Sequence, residues 1–132
     1  MAGIVGTYEM VSSDKYDEFL KAVGVSMIQR TMASKVSPTM TWSNENGKWT
    51  QKTKTTLKSF QIVFVEGEEF EEELADGRKC RSVITFDGNT LIHKQKMDDL
   101  TSVVTREFKG DQMVTTFKSG DVVATRVFKK IA

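Results

Sequence analysis

The sequence predicts an all-β fold: a ten-stranded, antiparallel, up-and-down β-barrel with two short helices after the first strand. Turn-forming residues recur about every ten residues over the last two-thirds of the chain, which is typical of successive β-hairpins. Helical spacing of apolar residues, in contrast, is confined to one stretch near the N-terminus. No linker, low-complexity tract or internal repeat indicates a second unit, so we expect residues 1–132 to form one domain.

A first strand near residues 5–12 leads into a short amphipathic helix. Ser13 or Asp14 is a candidate N-cap for this helix, and Gly24 is a candidate stop signal. Four apolar residues stand at the i, i+3, i+4 and i+7 positions of one helical face: Tyr16, Phe19, Leu20 and Val23.

A second helix is predicted to follow at once, over about residues 26–35. Ser26 and Gln29 have the spacing of a capping box, and Pro38 closes the segment because it cannot continue a helix. Three apolar residues share one side of this helix: Val25, Ile28 and Met32. The sequence therefore predicts two short helices in tandem.

Nine further strands are predicted between the turns, which gives ten with the first. The turns are NENG (44–47), EG (66–67), ADG (75–77), DGN (87–89), MDD (97–99), KGD (109–111) and SGD (119–121). The strands between them lie near residues 39–43, 48–56, 58–65, 68–74, 78–86, 90–97, 101–108, 112–118 and 122–130.

Strands joined in this way most simply form an antiparallel meander, and closing the meander removes the exposed edges that invite aggregation. We therefore expect a closed barrel or a flattened, clam-shaped barrel. About eight strands already enclose room for one small ligand in some barrels, so a ten-stranded wall implies an internal cavity.

Alternation along the strands indicates a partly polar interior. Gln51 and Thr53 lie opposite a row of lysines in the third strand. His93 and Gln95 lie opposite the lysines of the seventh strand. Within the acidic run EGEEFEEE, we expect Glu72 to point inward and to be held by water or a polar neighbour. A fully packed apolar core would not contain these polar side chains.

Two arginines stand within apolar runs near the C-terminus: Arg106 in SVVTREF and Arg126 in VVATRVFKK. Parity alone leaves the facing of Arg126 open. Burying an unpaired guanidinium is costly. If both arginines face inward, we expect them close together on neighbouring strands, where their repulsion and desolvation favour a bound carboxylate.

Composition excludes several broad classes of protein. Lys and Arg number 19 against 18 for Asp and Glu, so no overall field attracts nucleic acid or an anionic membrane. The single cysteine, Cys80, excludes an internal disulfide, and the N-terminal segment lacks the pattern of a signal peptide. No apolar run approaches the roughly 20 residues that span a bilayer. We expect a soluble, cytoplasmic monomer.

Catalysis is not predicted. Glu72, Cys80 and His93 are residue types used in acid–base or nucleophilic chemistry, but no nucleophile motif or glycine-rich phosphate loop surrounds them. A single histidine and a single cysteine argue against a zinc site. The lysine row at 48–58 has mainly threonine between the lysines, where a single-strand binder would have aromatics. We therefore expect no enzyme, no metal, no cofactor and no nucleic-acid partner.

The chain resembles the cytosolic fatty-acid-binding proteins, which belong to the intracellular lipid-binding family. The resemblance covers residues 4–131 in order. It implies a ten-stranded clam with a helix-turn-helix lid, which holds one long-chain fatty acid or similar lipid without covalent chemistry in a partly hydrated cavity. The segments that carry it are GTYEMVSSDKYDEFLKAVGV, KSFQIVFVEGEEFEEELADGRKCRSVITFDGNTLIHKQK, REF and ATRVF.

The resemblance also implies where the head group of the ligand binds. Members commonly hold the carboxylate with two arginines and a tyrosine, and Arg106 and Arg126 match the two arginine positions. Phe128 stands at the tyrosine position and has no hydroxyl. Retinol-binding members tend to have glutamine in place of the arginines, so this chain is expected to prefer an acid. A fatty acid is the expected ligand, with retinoic acid or another lipophilic carboxylate as the alternative.

By the same resemblance, a portal lies between the second helix, the turn near residues 54–58 and the turn at 75–77. The helical lid, with Lys21, Arg30 and Lys35, is a candidate surface for transient contact with an anionic membrane or a receptor. The residues implied to line the path of the lipid tail and the portal are Tyr16, Phe19, Leu20, Val23, Val25, Thr53, Lys58, Ala75, Asp76, Arg78, Gln95, Thr115 and Phe117.

Overall fold

Ten antiparallel strands form one sheet in the computed structural model, which describes residues 3–132. The strands are β1 (Gly6–Asp14), β2 (Thr39–Glu45), β3 (Lys48–Lys54), β4 (Ser59–Val65), β5 (Phe70–Glu73), β6 (Lys79–Asp87), β7 (Thr90–Met97), β8 (Leu100–Lys109), β9 (Gln112–Ser119) and β10 (Val122–Lys130). The helices, α1 (Tyr16–Ala22) and α2 (Met27–Ser34), follow β1. The predicted number and order of elements are confirmed.

Each strand pairs with its neighbour in sequence except at β4 and β5, which do not pair with each other, and β1 also pairs with β10. The sheet order is β4-β3-β2-β1-β10-β9-β8-β7-β6-β5, which leaves β4 and β5 as its two edges. The result is a nearly closed barrel, as the meander of hairpins predicts. β1 extends beyond its predicted end, because a register shift between Met10 and Ser12 lets the strand go on pairing with β10 as far as Asp14.

The predicted N-cap of α1 is wrong. Ser13 and Asp14 still pair with β10, and the cap position is taken by Lys15, which has a left-handed backbone (φ 61°) and no capping hydrogen bond from its side chain. The predicted stop is confirmed. Gly24 adopts φ 87°, and its amide donates to the Lys21 carbonyl over 3.1 Å, as in a Schellman-type helix end.

The predicted cap of α2 is also confirmed. The Ser26 hydroxyl oxygen accepts a hydrogen bond from the Gln29 backbone amide over 3.2 Å. This helix buries no residue completely, so it rests on the barrel with its apolar side chains only partly covered.

Two apolar clusters pack in the interior. The first includes the fully buried Trp42, Tyr8 and Phe128. The second lies beneath α1 and includes Phe19, Val23 and Phe117. Polar side chains are also buried in the interior, as the alternation along the strands predicts: Gln51, Thr53, Glu72, Ser82, His93, Ser102, Arg106, Thr115, Ser119 and Arg126.

Neither helix in the described part of the chain has the length and apolar character needed to cross a lipid bilayer.

Candidate functional site

A cavity of about 300 Å³ lies inside the barrel and extends beneath the helix pair. Its volume is at the lower end of the range of about 300–1,000 Å³ that is common for small-molecule sites. The wall is mainly apolar, with a small number of charged and polar groups. Such a cavity suits an elongated apolar molecule with one polar end.

The cavity brings together nearly all the residues that the sequence singled out. Arg106, Arg126 and Phe128 line it. So do the following residues of the expected tail path and portal: Tyr16, Phe19, Leu20, Val23, Val25, Thr53, Lys58, Ala75, Asp76, Arg78, Gln95 and Phe117. Thr115 differs from this expectation: it is fully buried and its hydroxyl accepts a hydrogen bond from Arg106, so it positions the arginine instead of facing the cavity.

Arg106 is buried, with 7% of its surface exposed. Its Nη1 donates to the Thr115 hydroxyl over 3.0 Å and lies 3.5 Å from the Met40 sulfur. Its Nε has no acceptor among the described residues. Burial, with a smaller effect from the positive charge of Arg126, lowers the pKa of Arg106 to about 10. The guanidinium is therefore charged at neutral pH and incompletely satisfied.

Arg126 is buried to a similar degree, with 8% exposed. Its Nε donates to the Ser13 hydroxyl over 3.0 Å, and its Cζ stands 3.5 Å from the centre of the Tyr16 ring. Burial lowers the pKa of Arg126 below its usual value. Among the described residues, no carboxylate lies within salt-bridge distance of either buried guanidinium.

The relative placement of the two arginines corrects one expectation. They do not lie on neighbouring strands, because β9 separates β8 from β10. Arg106 and Arg126 are both register partners of Thr115 on β9, from opposite sides. Their backbones are thus two interstrand spacings apart, roughly 10 Å. Both side chains nevertheless line the same cavity.

Phe128 is a fully buried member of the first apolar cluster and also lines the cavity. Its ring contributes apolar wall at the position where the resemblance implies a tyrosine hydroxyl. This part of the cavity wall therefore has two cations and no tyrosine hydroxyl at position 128.

Glu72 points inward, as expected, and a set of polar neighbours holds it. Its Oε1 lies 2.8 Å from Nε2 of His93. Oε1 also accepts hydrogen bonds from the Ser82 hydroxyl over 2.8 Å and from the Gln95 amide over 3.1 Å. Burial raises the pKa of this carboxyl, but the hydrogen bonds and the interaction with His93 outweigh burial, and the pKa lies below its ordinary value. Glu72 is therefore ionised at neutral pH.

Hydrogen bonds connect the elements around the expected portal. Lys58 Nζ donates to the Ala75 carbonyl over 2.8 Å, which links the β3–β4 turn to the β5–β6 turn. Arg78 pairs with Asp76 over 2.8 Å and donates to the Val23 carbonyl at the end of α1 over 2.8 Å. These contacts join the barrel rim to the helix pair.

Sequence reasoning missed part of the cavity wall. Gln51 and His93 belong to it, and strand parity had already placed both on the inner face. Met32 also belongs to it, and the sequence had placed this residue on the apolar side of α2. Three further cavity residues on or just after α2 carried no such signal, because the cap and stop residues locate a helix without showing which side faces the barrel: Gln29, Ala33 and Val36. No cluster of three or more His, Cys, Asp and Glu suited to a metal ion occurs within residues 3–132.

Several known proteins are similar to this chain in sequence and in architecture. The family profile described as lipocalin / cytosolic fatty-acid binding protein matches residues 5–131. The muscle fatty acid-binding protein of Schistocerca gregaria is 43% identical over 124 residues, which is 92% of each chain. The sodium/calcium exchanger regulatory protein 1 of Doryteuthis pealeii is 38% identical over 130 residues, which is 98% of each chain.

A solved structure agrees with the sequence relatives. The fatty acid binding protein of Schistosoma mansoni in complex with arachidonic acid has a TM-score of 0.96 and 34% sequence identity, and the match covers 100% of this chain and 98% of that one. The match with the family profile spans almost the whole barrel, and the relatives are well above 30% identical. The chain therefore belongs to the lipocalin / cytosolic fatty-acid binding protein family.

Proposed function

We propose that the protein binds one long-chain fatty acid inside its cavity, without covalent chemistry, and carries it through the cytoplasm. The observation that carries this proposal is the pair of buried guanidinium groups, which face the cavity with no carboxylate partner among the described residues. A carboxylate on the ligand would offset the cost of burying the cations.

The hydrocarbon tail would bind along the apolar part of the wall. Phe19, Leu20 and Phe117 lie beneath or on the helix pair and supply such surface. Burial of apolar area contributes about 25 cal/mol per Å², so most of the affinity would come from the tail. The head group would supply orientation and selectivity.

The test is a titration of delipidated protein with octadecanoic acid and with octadecanol. We expect the acid to bind at one molecule per protein and more tightly than the alcohol, because only the acid brings a charge that pairs with the arginines. Equal affinity for the two would contradict the proposed head-group site. Retinoic acid belongs in the same series: tighter binding than the fatty acid would assign the cavity to the alternative ligand.

A second candidate function concerns delivery of the ligand. Met27 and Ile28, at the start of α2, are 71% and 74% exposed, and exposed apolar side chains beside a portal suit brief contact with a lipid surface. Lys21 and Lys35 are exposed and could contact anionic head groups. Arg30 is less available than the sequence indicated, because it pairs with Asp17 over 3.1 Å.

Transfer of a bound fluorescent fatty acid to anionic vesicles tests this delivery step. We expect the transfer rate to fall as salt rises, because salt screens the attraction between surface lysines and the vesicle. A rate that does not change with salt would contradict electrostatic docking.

A further inference from the structure

We propose that Glu72 forms a second polar subsite in the cavity, which accepts a hydrogen bond from a hydroxyl group on the hydrocarbon chain of the ligand. The preferred ligand class would then be hydroxylated long-chain acids, with the carboxylate at the arginines and the chain hydroxyl at Glu72. This inference rests on the proposed function and adds a second point of recognition to it.

The two oxygens of the Glu72 carboxylate have different surroundings. Every hydrogen bond to this carboxylate from the described residues ends on Oε1, which has partners on β6 and β7. Oε2 has no donor among the described residues. Since Glu72 lines the cavity and is 9% exposed, Oε2 is the acceptor that remains for a ligand.

The carboxylate is held in a fixed orientation. His93 and Gln95 contact it from β7, and Ser82 contacts it from β6. Gln95 is itself fixed by the Ser102 hydroxyl, which donates to its side-chain oxygen over 2.7 Å. A preorganised acceptor costs little further ordering when a ligand binds, so it can discriminate between ligand groups.

The subsite lies within reach of a chain held at the arginines. On the paired strands β7 and β8, Leu91 is opposite Arg106 and His93 is opposite Val104. His93, whose ring contacts Glu72, is thus the diagonal neighbour of Arg106, and diagonal neighbours in a sheet are about 7–8 Å apart. Glu72 and both arginines also line the same cavity. A bound chain would pass the carboxylate.

An ionised carboxylate selects for donors. A chain hydroxyl can donate to Oε2 in a charge-assisted hydrogen bond. A ketone at the same carbon can only accept, and its oxygen would face a negative oxygen without a proton between them. Preference for a hydroxyl over an oxo group at the same carbon is therefore the signature of this subsite, and hydrophobic contact alone does not produce it.

The experiment measures the dissociation constants of delipidated protein for octadecanoic acid, for its positional monohydroxy derivatives and for the matching oxo derivatives. At one or more positions we expect the hydroxy acid to bind about tenfold more tightly than the oxo acid, as for a hydrogen bond to a charged group. Equal binding of the two derivatives at every position would overturn the inference. This comparison uses the wild-type protein and does not depend on the folding of a variant.

Two variants locate the effect. Glu72→Gln keeps an oxygen for the existing donors and replaces Oε2 with an amide group that donates, so the preference for the hydroxy acid should vanish or reverse. Glu73→Gln is the matched control, since Glu73 is an exposed carboxylate on the same strand and on the opposite face. It should leave the preference unchanged. A preference that survives in Glu72→Gln, or that disappears in Glu73→Gln, would overturn the assignment to Glu72.

The same measurements separate this inference from the proposed function. If octadecanoic acid binds but the derivatives are not distinguished, the second subsite fails and the fatty-acid site stands. If octadecanoic acid itself does not bind, the proposed function fails, and the inference fails with it.

Discussion

Arg106 and Arg126 are buried cations whose partners in the free protein are neutral. The Thr115 hydroxyl holds one guanidinium, and the Ser13 hydroxyl and the Tyr16 ring hold the other. Neutral partners orient a guanidinium without cancelling its charge. A bound anion would supply the charge partner that neither arginine has among the described residues.

Replacing Arg126 with alanine should weaken binding of octadecanoic acid more than binding of octadecanol, by about 2 kcal/mol, which is typical of a lost hydrogen bond to a charged group. Calorimetric titration of both ligands measures the difference. Arg81→Ala is the control, because Arg81 is exposed on the outer face of β6 and pairs with Glu69. Equal losses for acid and alcohol in Arg126→Ala would contradict a direct role in binding the carboxylate.

Replacing Phe128 with tyrosine should tighten binding of the acid by about 0.5–1.5 kcal/mol, the net value of one added hydrogen bond. The ring already lines the cavity, so the new hydroxyl would be added near the expected head group. Affinities for octadecanoic acid in the two proteins provide the measurement. Unchanged or weaker affinity would mean that the head group binds elsewhere.

Glu72 should contribute to stability in a way that depends on pH. The pKa of its carboxyl in the folded protein is below the ordinary value of 4.5. The stabilisation is therefore fully present above about pH 4.5 and is lost as pH falls through the lower, folded value. Urea unfolding of wild type and Glu72→Gln at neutral and acid pH should show the difference in unfolding free energy shrinking on acidification. A difference that stays constant would contradict the lowered pKa.

At the scale of elements, α1 and α2 depend on a small number of backbone and rim contacts. Gly24 separates them with a backbone conformation (φ 87°) that other residues adopt at a cost. Arg78 approaches the same point from the β5–β6 turn: a Cβ on Gly24 would come within 3.0 Å of its Nη1. Orientation of the helix pair is therefore linked to the barrel rim.

Gly24→Ala should lower the unfolding free energy by about 1–2 kcal/mol, the cost of a left-handed residue, and should speed release of bound fatty acid by displacing Arg78 from α1. Gly47→Ala is the matched control. Gly47 has nearly the same φ (85°) in the β2–β3 turn, and a Cβ there meets nothing within 4 Å. It should lose similar stability with no change in release rate. Equal release rates in the two variants would contradict the lid role that the family resemblance implies for the helix pair.

Much of this architecture follows from the sequence because strand alternation and turn residues are local signals. Turn spacing predicted ten strands, and parity placed Gln51 and His93 on the inner face, whereas the inward facing of Arg106 depended on the family resemblance. The error at the start of α1 has a physical cause: the shift in register near Val11 prolongs β1, so Ser13 pairs in the sheet instead of capping a helix. Such irregularities depend on the partner strand and have no local signature.

At the scale of the whole molecule, the interior of the barrel contains two apolar clusters, a set of buried polar groups and a cavity between them and the helix pair. Trp42 belongs to one cluster and Phe19 to the other, while Arg106, Arg126 and Glu72 line the space that remains. Among the buried side chains of the wall, two guanidinium groups and one carboxylate leave an excess positive charge. One bound carboxylate would neutralise it, which fits a carrier that takes one acid molecule at a time.

A crystal structure of the protein with octadecanoic acid would show directly whether the arginines bind the carboxylate. We expect one acid molecule inside the barrel, with a carboxylate oxygen within hydrogen-bond distance, about 2.7–3.2 Å, of a guanidinium nitrogen of Arg106 or Arg126. A ligand with its carboxylate at the portal and its methyl end beside the arginines, or one bound outside the barrel, would contradict it.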